Sequence, residues 1–230
     1  MTNELILILN VLFTYSMVLL AYRYFGKTGL YCWTVLATIA ANIEVLIVVN
    51  AFGLEQTLGN ILFASTFLVT DILSENVGRK EATRAVKIGI LTSLVFVLIS
   101  QSWLHYIPSG SDWASPAIEA IFANTPRLIL SSLGVYAIVQ SIDVVLYHAI
   151  WKVTTKLSGS RERFLWLRNN LATITAQLLN AFLYNFAAFG GMYEVDTLIR
   201  ISLASFVIFL FTSLLDTPAV YLSRKIKPAE

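Results

Sequence analysis

The feature that most constrains this chain is its division into apolar blocks, each about as long as a bilayer is thick. A helix needs about 20 predominantly apolar residues to cross the hydrocarbon core. Seven stretches meet or approach that length: 5–22, 30–52, 58–74, 86–107, 127–151, 170–192 and 198–222. Hydrocarbon offers no water to backbone amides, so only helices and closed barrels can span it. Barrel strands alternate in and out over about ten residues, whereas these blocks are continuous. The sequence predicts an all-α fold, a polytopic helical membrane protein forming one domain over residues 1–230. Charged residues make up 13% of the chain, about half the ~25% of soluble domains. A mean hydropathy of +0.72 agrees.

The placement of basic residues tests the span scheme. Arg23 and Lys27 follow the first block, and Arg79, Lys80, Arg84 and Lys87 follow the third. Lys152, Lys156, Arg161, Arg163 and Arg168 follow the fifth, and Arg224, Lys225 and Lys227 form the tail. Of the 16 Lys and Arg residues, only Arg127 and Arg200 fall elsewhere. By the positive-inside rule this pattern puts the N-terminus outside and the C-terminus inside, with Arg79, Lys80, Arg84, Lys87 and Arg168 as inner-face markers of topology. It favours seven crossings. The alternative of six would merge or drop a block and misplace two basic links. The third block is the shortest and most polar, and is the one most open to reading as a re-entrant or broken helix. The outer connection 108–126 contains Trp113 and an amphipathic stretch suited to the interface. Cys32, the only cysteine, reads as a small buried hydrophobe, and an intrachain disulfide or cysteine metal cluster is excluded. No cofactor is implied.

Polar residues inside the apolar blocks carry the functional argument, because an ionisable group in hydrocarbon is costly and normally faces a protein interior. Asn42 and Glu44 lie in the second block, Asp71 in the third and Glu75 just past its end. Gln140, Asp143 and Tyr147 lie in the fifth, Gln177, Asn180 and Tyr184 in the sixth, and Asp216 in the seventh. Blocks five and six share the pattern Q-x-x-[DN]-x-x-L-Y-[HN], beginning at Gln140 and Gln177. Positions i, i+3 and i+7 share a helical face, so each helix displays an amide, a second polar group and a tyrosine in a row. No Lys or Arg lies mid-block to neutralise the carboxylates, which argues against structural ion pairing. Protons, amide and hydroxyl donors or a substrate would then satisfy them. Glu44, Asp71 and Asp143 are the leading substrate or proton candidates, with helix–helix bonding as the competing role. Glu75 is expected to meet its basic neighbours at the inner interface. Asp216 precedes Thr217-Pro218, where the proline is expected to break the helix. Signatures of phosphate-binding loops, zinc hydrolases and nucleophile elbows are absent.

The run Thr70-Asp71-Ile-Leu-Ser-Glu75-Asn-Val-Gly78-Arg79-Lys80-Glu81-Ala82-Thr-Arg84 resembles the signature of the queuosine precursor transporter family, formerly the vitamin uptake transporter family. Stretches 167–177 and 214–221 agree in kind, so the resemblance covers essentially the whole chain. It departs at Asn180, where the family pattern carries an acid, and this leaves the role of that position open. The resemblance implies a multi-pass cell (inner) membrane transporter, not an enzyme. Its cargo would be 7-cyano-7-deazaguanine, 7-aminomethyl-7-deazaguanine or queuine, taken up for salvage into tRNA queuosine. The implied partners are that small 7-deazapurine substrate and the lipid bilayer, with no nucleic acid, and a homo-oligomer is compatible with such a chain. The residue types suit the cargo. A guanine edge presents two adjacent donors to a carboxylate and a carbonyl to an amide. Asp71, Glu44 and Asp143, with Gln140, Gln177, Asn180, Asn42, Tyr147, Tyr184, Asp216 and Glu75, are the expected substrate-binding set. Two other readings stand beside this one: the substrate-capture subunit of an ATP-driven vitamin importer, and an intramembrane hydrolase using acidic catalysts.

Overall fold

A computed structural model describes residues 2–123 and 126–228. The described residues form seven helices and one short hairpin in the order α1 (Asn3–Glu44), β1 (Val48–Ala51), β2 (Leu54–Thr57), α2 (Gly59–Asn76), α3 (Arg79–Trp103), α4 (Ser115–Phe122), α5 (Pro126–Ser158), α6 (Leu165–Phe189) and α7 (Val195–Ser223). The protein is a helical membrane protein. Leucines, isoleucines and phenylalanines coat its exterior, while Asp71, Asp143, Asp216, Arg168, Gln140 and Gln177 are buried.

Straight, the 42 residues of α1 would reach about 63 Å, twice the hydrocarbon thickness. Gly26 prevents that, with φ 54° and ψ −140° inside the helix, a conformation that only glycine adopts without strain. The chain folds back there so tightly that a side chain on Gly29 would overlap the Ala21 carbonyl oxygen. The return brings the far end to the start, where Asn3 Nδ2 donates to the Asn50 carbonyl at 2.9 Å and the Phe52 amide donates to Glu4 Oε1 at 3.2 Å. Blocks 5–22 and 30–52 therefore lie on the two arms of α1, but the second is helical only to Glu44.

Its remainder is a correction to the all-helical expectation. Val48–Ala51 pairs antiparallel with Leu54–Thr57 through the two-residue turn Phe52-Gly53. Both turn residues have positive φ, 53° and 73°, which matches the hairpin turn whose twist suits paired strands. The β-branched run Ile47-Val48-Val49 favours extension, and in a hydropathy reading it is indistinguishable from helix. Cys32 is also a correction, for it is exposed on α1.

Among the described residues, four helices are long and apolar enough, by length and composition, to cross a bilayer: α1, α3, residues 130–158 of α5, and α7. Two of the predicted blocks lie on helices outside that set, α2 and α6. α2 falls outside it because of its polar residues, among them Thr66, Thr70, Asp71 and Glu75, and its burial is what lets it carry them. Every residue from Ala64 to Ser74 is buried, with α1, α3, α5 and α7 packed around the helix, so that stretch has no face open to lipid. It is one unbroken helix of 18 residues, about 27 Å long, not a broken segment. α7 likewise continues through Pro218 to Ser223 instead of breaking there.

The basic connections collect at one end of the bundle. Lys27 and Arg84 both pair with Glu81, to which the Tyr31 hydroxyl also donates. Arg224 reaches both Glu75 and the Glu162 carbonyl. At the opposite end Arg127 ties α5 to α6 through the Ala187 carbonyl at 2.9 Å and the Gly190 carbonyl at 2.5 Å. There α4 lies against α3, with Phe122 edge-on to Phe96 and Trp103.

Candidate functional site

Helices α2, α5 and α7 run from the hairpin end to the basic end, and α6 runs against them. Their inward faces form four layers. The second from the basic end is acidic. Thr173 on α6 sits between Asp71 on α2 and Asp143 on α5, with its hydroxyl 3.1 Å from Asp71 Oδ2 and 3.3 Å from Asp143 Oδ1. Asp216 on α7 accepts from Asn169 Nδ2 at 2.6 Å. All three aspartates are at most 1% exposed. Among the described residues, no hydrogen bond or ion pair joins a Lys or Arg to any of them.

One turn toward the hairpin lie the amides. Gln140 Nε2 donates to Thr66 Oγ1 at 2.5 Å, and Gln177 faces in from α6. The recurrent pattern read from sequence thus places both glutamines, fully buried, beside the acids. Among the described residues, several polar atoms of these layers have no hydrogen-bond partner: Asp71 Oδ1, Asp143 Oδ2, Gln140 Oε1 and both amide atoms of Gln177. Buried polar groups are ordinarily paired, and an orphan costs about 1–3 kcal/mol. Gathered in two adjacent layers, these acceptors and donors have the chemistry to satisfy a polar ligand.

An aromatic layer closes this region toward the hairpin. Phe63 packs against Phe67, Tyr136 and Phe209 with ring centroids 5.5, 5.9 and 6.2 Å apart. Toward the basic end it is closed by a clamp on Glu75. Arg168 Nε and Nη2 donate to Glu75 Oε2 at 3.0 and 2.8 Å, and Nη2 also reaches Oε1 at 2.7 Å. Arg224 Nε donates to Oε1 at 2.8 Å and its Nη2 makes a second bond. The Tyr147 hydroxyl donates to Oε2 at 2.6 Å. Arg168 is itself fully buried, lies 4.4 Å over the Trp151 ring and donates through Nη1 to the Arg163 carbonyl at 2.8 Å.

The clamp corrects three expectations. Ion pairing is present in the core. Arg168, expected only as a topology marker, is buried at the basic end and pairs with Glu75. Glu75 takes Arg168 and Arg224 as partners, whereas the adjacent Arg79 and Lys80 are exposed. Both arginines sit at helix ends, beyond the apolar blocks, and reach inward on long side chains. A block-by-block count of charges does not register that.

The rest of the expected set is dispersed. Glu44 ends α1 beside the hairpin, half-buried, and among the described residues no hydrogen bond links it to the aspartates. Asn42 bonds its own helix through the Thr38 carbonyl at 2.7 Å. Asn180 is buried, and Tyr184 is half-buried, edge-on to Phe189. Tyr147 belongs to the clamp. Thr173 and Asn169, which hold the acids, are not among the expected site residues, although both fall in the stretch 167–177 that agrees with the family pattern.

Compared with known protein families, residues 57–223 match the family described as "Putative vitamin uptake transporter". A Bacillus subtilis (strain 168) protein named "Probable queuosine precursor transporter" is 36% identical over 228 residues, covering 99% of this chain and 97% of its own. No solved structure matches. The family is one of transporters, not enzymes, which removes the hydrolase reading. The motif around Asp71 and Glu75, the family match and the near full-length relative agree: the chain belongs to the queuosine precursor transporter family, formerly the vitamin uptake transporter family.

Proposed function

We propose that this transporter imports a 7-deazaguanine precursor of queuosine across the cell membrane, binding it in the acid and amide layers. The carrying observation is the set of orphaned atoms on Asp71, Asp143, Gln140 and Gln177. A guanine edge offers two adjacent N–H donors that a carboxylate accepts side by side, and its carbonyl takes an amide donor. The name of the B. subtilis relative supports the cargo class. The choice among 7-cyano-7-deazaguanine, 7-aminomethyl-7-deazaguanine and queuine belongs to the same proposal.

In this reading the chain crosses seven times with its basic end in the cytoplasm, as the gathering of the basic connections supports. The aromatic layer then seals the binding layers from outside and the Glu75 clamp seals them from inside. Transport opens the two seals alternately, with α2 and α5 contributing side chains to both. Such a layout matches carriers whose site lies near the bilayer midplane.

The direct test uses a host unable to make queuosine. The chain is expressed, each precursor is supplied separately, and queuosine is measured in tRNA. Restoration by at least one precursor is expected, and no gain with any of them overturns the assignment.

A further inference from the structure

At the basic end, below the clamp, a cavity of about 510 Å³ opens between the end of α2, the first turn of α3 and the last turns of α5. Its wall carries Arg79, Lys152 and Arg161. Among the described residues none of the three is in an ion pair. The one acid on the wall, Glu75, is already held by two arginines and a tyrosine. The cavity therefore presents uncompensated positive charge.

Three further features point the same way. Ser74 lines the cavity, is 1% exposed, and its hydroxyl has no partner. α3 begins at Arg79 with no side-chain cap, so the positive end of a 25-residue helix is left at the cavity mouth, an arrangement that attracts anions. The Trp151 ring already carries Arg168 at 4.4 Å and Arg161 at 5.6 Å, with His148 stacked beside it. That wall is committed to cations and not offered to a planar cargo.

We infer that this cavity is a binding site for a phosphate group, distinct from the acid and amide layers. A phosphate has enough acceptor oxygens for the three cations, the Ser74 hydroxyl and the uncapped amides together. Such groups come from two sources at this depth: the headgroup of an anionic lipid in the cytoplasmic leaflet, or soluble phosphate. The site does not depend on the identity of the transported molecule.

The test uses the purified full-length chain in neutral detergent and reads its thermal unfolding midpoint. Titrants are short-chain phosphatidylglycerol, short-chain phosphatidylcholine and inorganic phosphate. A saturable rise is expected with phosphatidylglycerol, with inorganic phosphate, or with both, and none with phosphatidylcholine. A rise with the lipid alone assigns the headgroup as source, and a rise with inorganic phosphate alone assigns the soluble ion. The triple variant Arg79→Gln, Lys152→Gln, Arg161→Gln should bind about a hundredfold more weakly. Ser74→Ala, which leaves charge unchanged, should bind about three- to tenfold more weakly. A variant matched in charge at the exposed positions Arg23, Lys225 and Lys227, each to Gln, should keep the wild-type response. No rise with either phosphate source, an unchanged response in the cavity variants, or equal loss in the matched variant overturns the site.

Discussion

At the scale of single residues, a sharp contrast separates two buried acids one helical turn apart. Glu75 is saturated by Arg168, Arg224 and Tyr147, whereas Asp71 has one hydroxyl bond and one orphaned oxygen. Their substitutions should therefore fail differently. Arg168→Ala leaves a buried carboxylate short of a partner and should destabilise the fold by about 3–5 kcal/mol, read as reduced yield and a lowered melting temperature. Asp71→Asn keeps shape and burial, so the protein should accumulate and melt normally while uptake falls at least about tenfold. An Asp71→Asn protein with wild-type uptake would remove Asp71 from the binding layer. The importance of Asp71 was legible in the sequence because a mid-block acid needs a reason to exist. The partners of Glu75 were not. They come from chain positions 93 and 149 residues away, and spacing along one helix says nothing about such pairs.

Among the elements, α1 and α4 make the clearest claims. The arms of α1 meet only because Gly26 takes a left-handed φ and Gly29 lacks a side chain. In a Cys32→Ser background, the pair Asn3→Cys and Asn50→Cys should cross-link readily under mild oxidation, since the native side chain and carbonyl already touch. Gly29→Leu should abolish that cross-link. At the other face of the bundle α4 is fastened by Asp112, which accepts from the Ser115 hydroxyl and from the Ala114 and Ser115 amides. Those bonds, led by the hydroxyl, hold the Asp112 carboxyl below its ordinary value. A depressed value in the folded state means the contribution is present above the unfolded value of about 3.9 and is lost as pH falls through the folded one. Trp113 fluorescence in a protein with its other tryptophans replaced by Phe should stay constant from neutral pH down to about pH 4 and change only below it. Asp112→Asn should remove that acid transition. Hydropathy located both arms of α1, but not the hairpin that ends the second. A β-branched apolar run looks the same to a bilayer-length window whether it coils or extends.

For the whole molecule, the distribution of charge was readable in advance and the distribution of burial was not. Alternation of Lys and Arg anticipated the gathering of basic connections at one end, because that rule depends only on which loops share a side. Hydropathy understates α2 because it assumes that a crossing helix meets lipid, and from Ala64 to Ser74 α2 meets other helices on every side. Single cysteines in the Cys32→Ser background test the proposed orientation. A Ser111→Cys protein should react with an impermeant maleimide in intact cells, and a Ser160→Cys protein only after permeabilisation; the reverse pattern would invert the assignment. The spacing of the acid layer and the clamp sets a further quantity. Asp71 and Glu75 stand four residues apart on one helix, and so do Asp143 and Tyr147, a separation of about 6 Å along each axis. One helical turn is therefore all that separates the carboxylate that holds two arginines from the carboxylate that is offered only a hydroxyl.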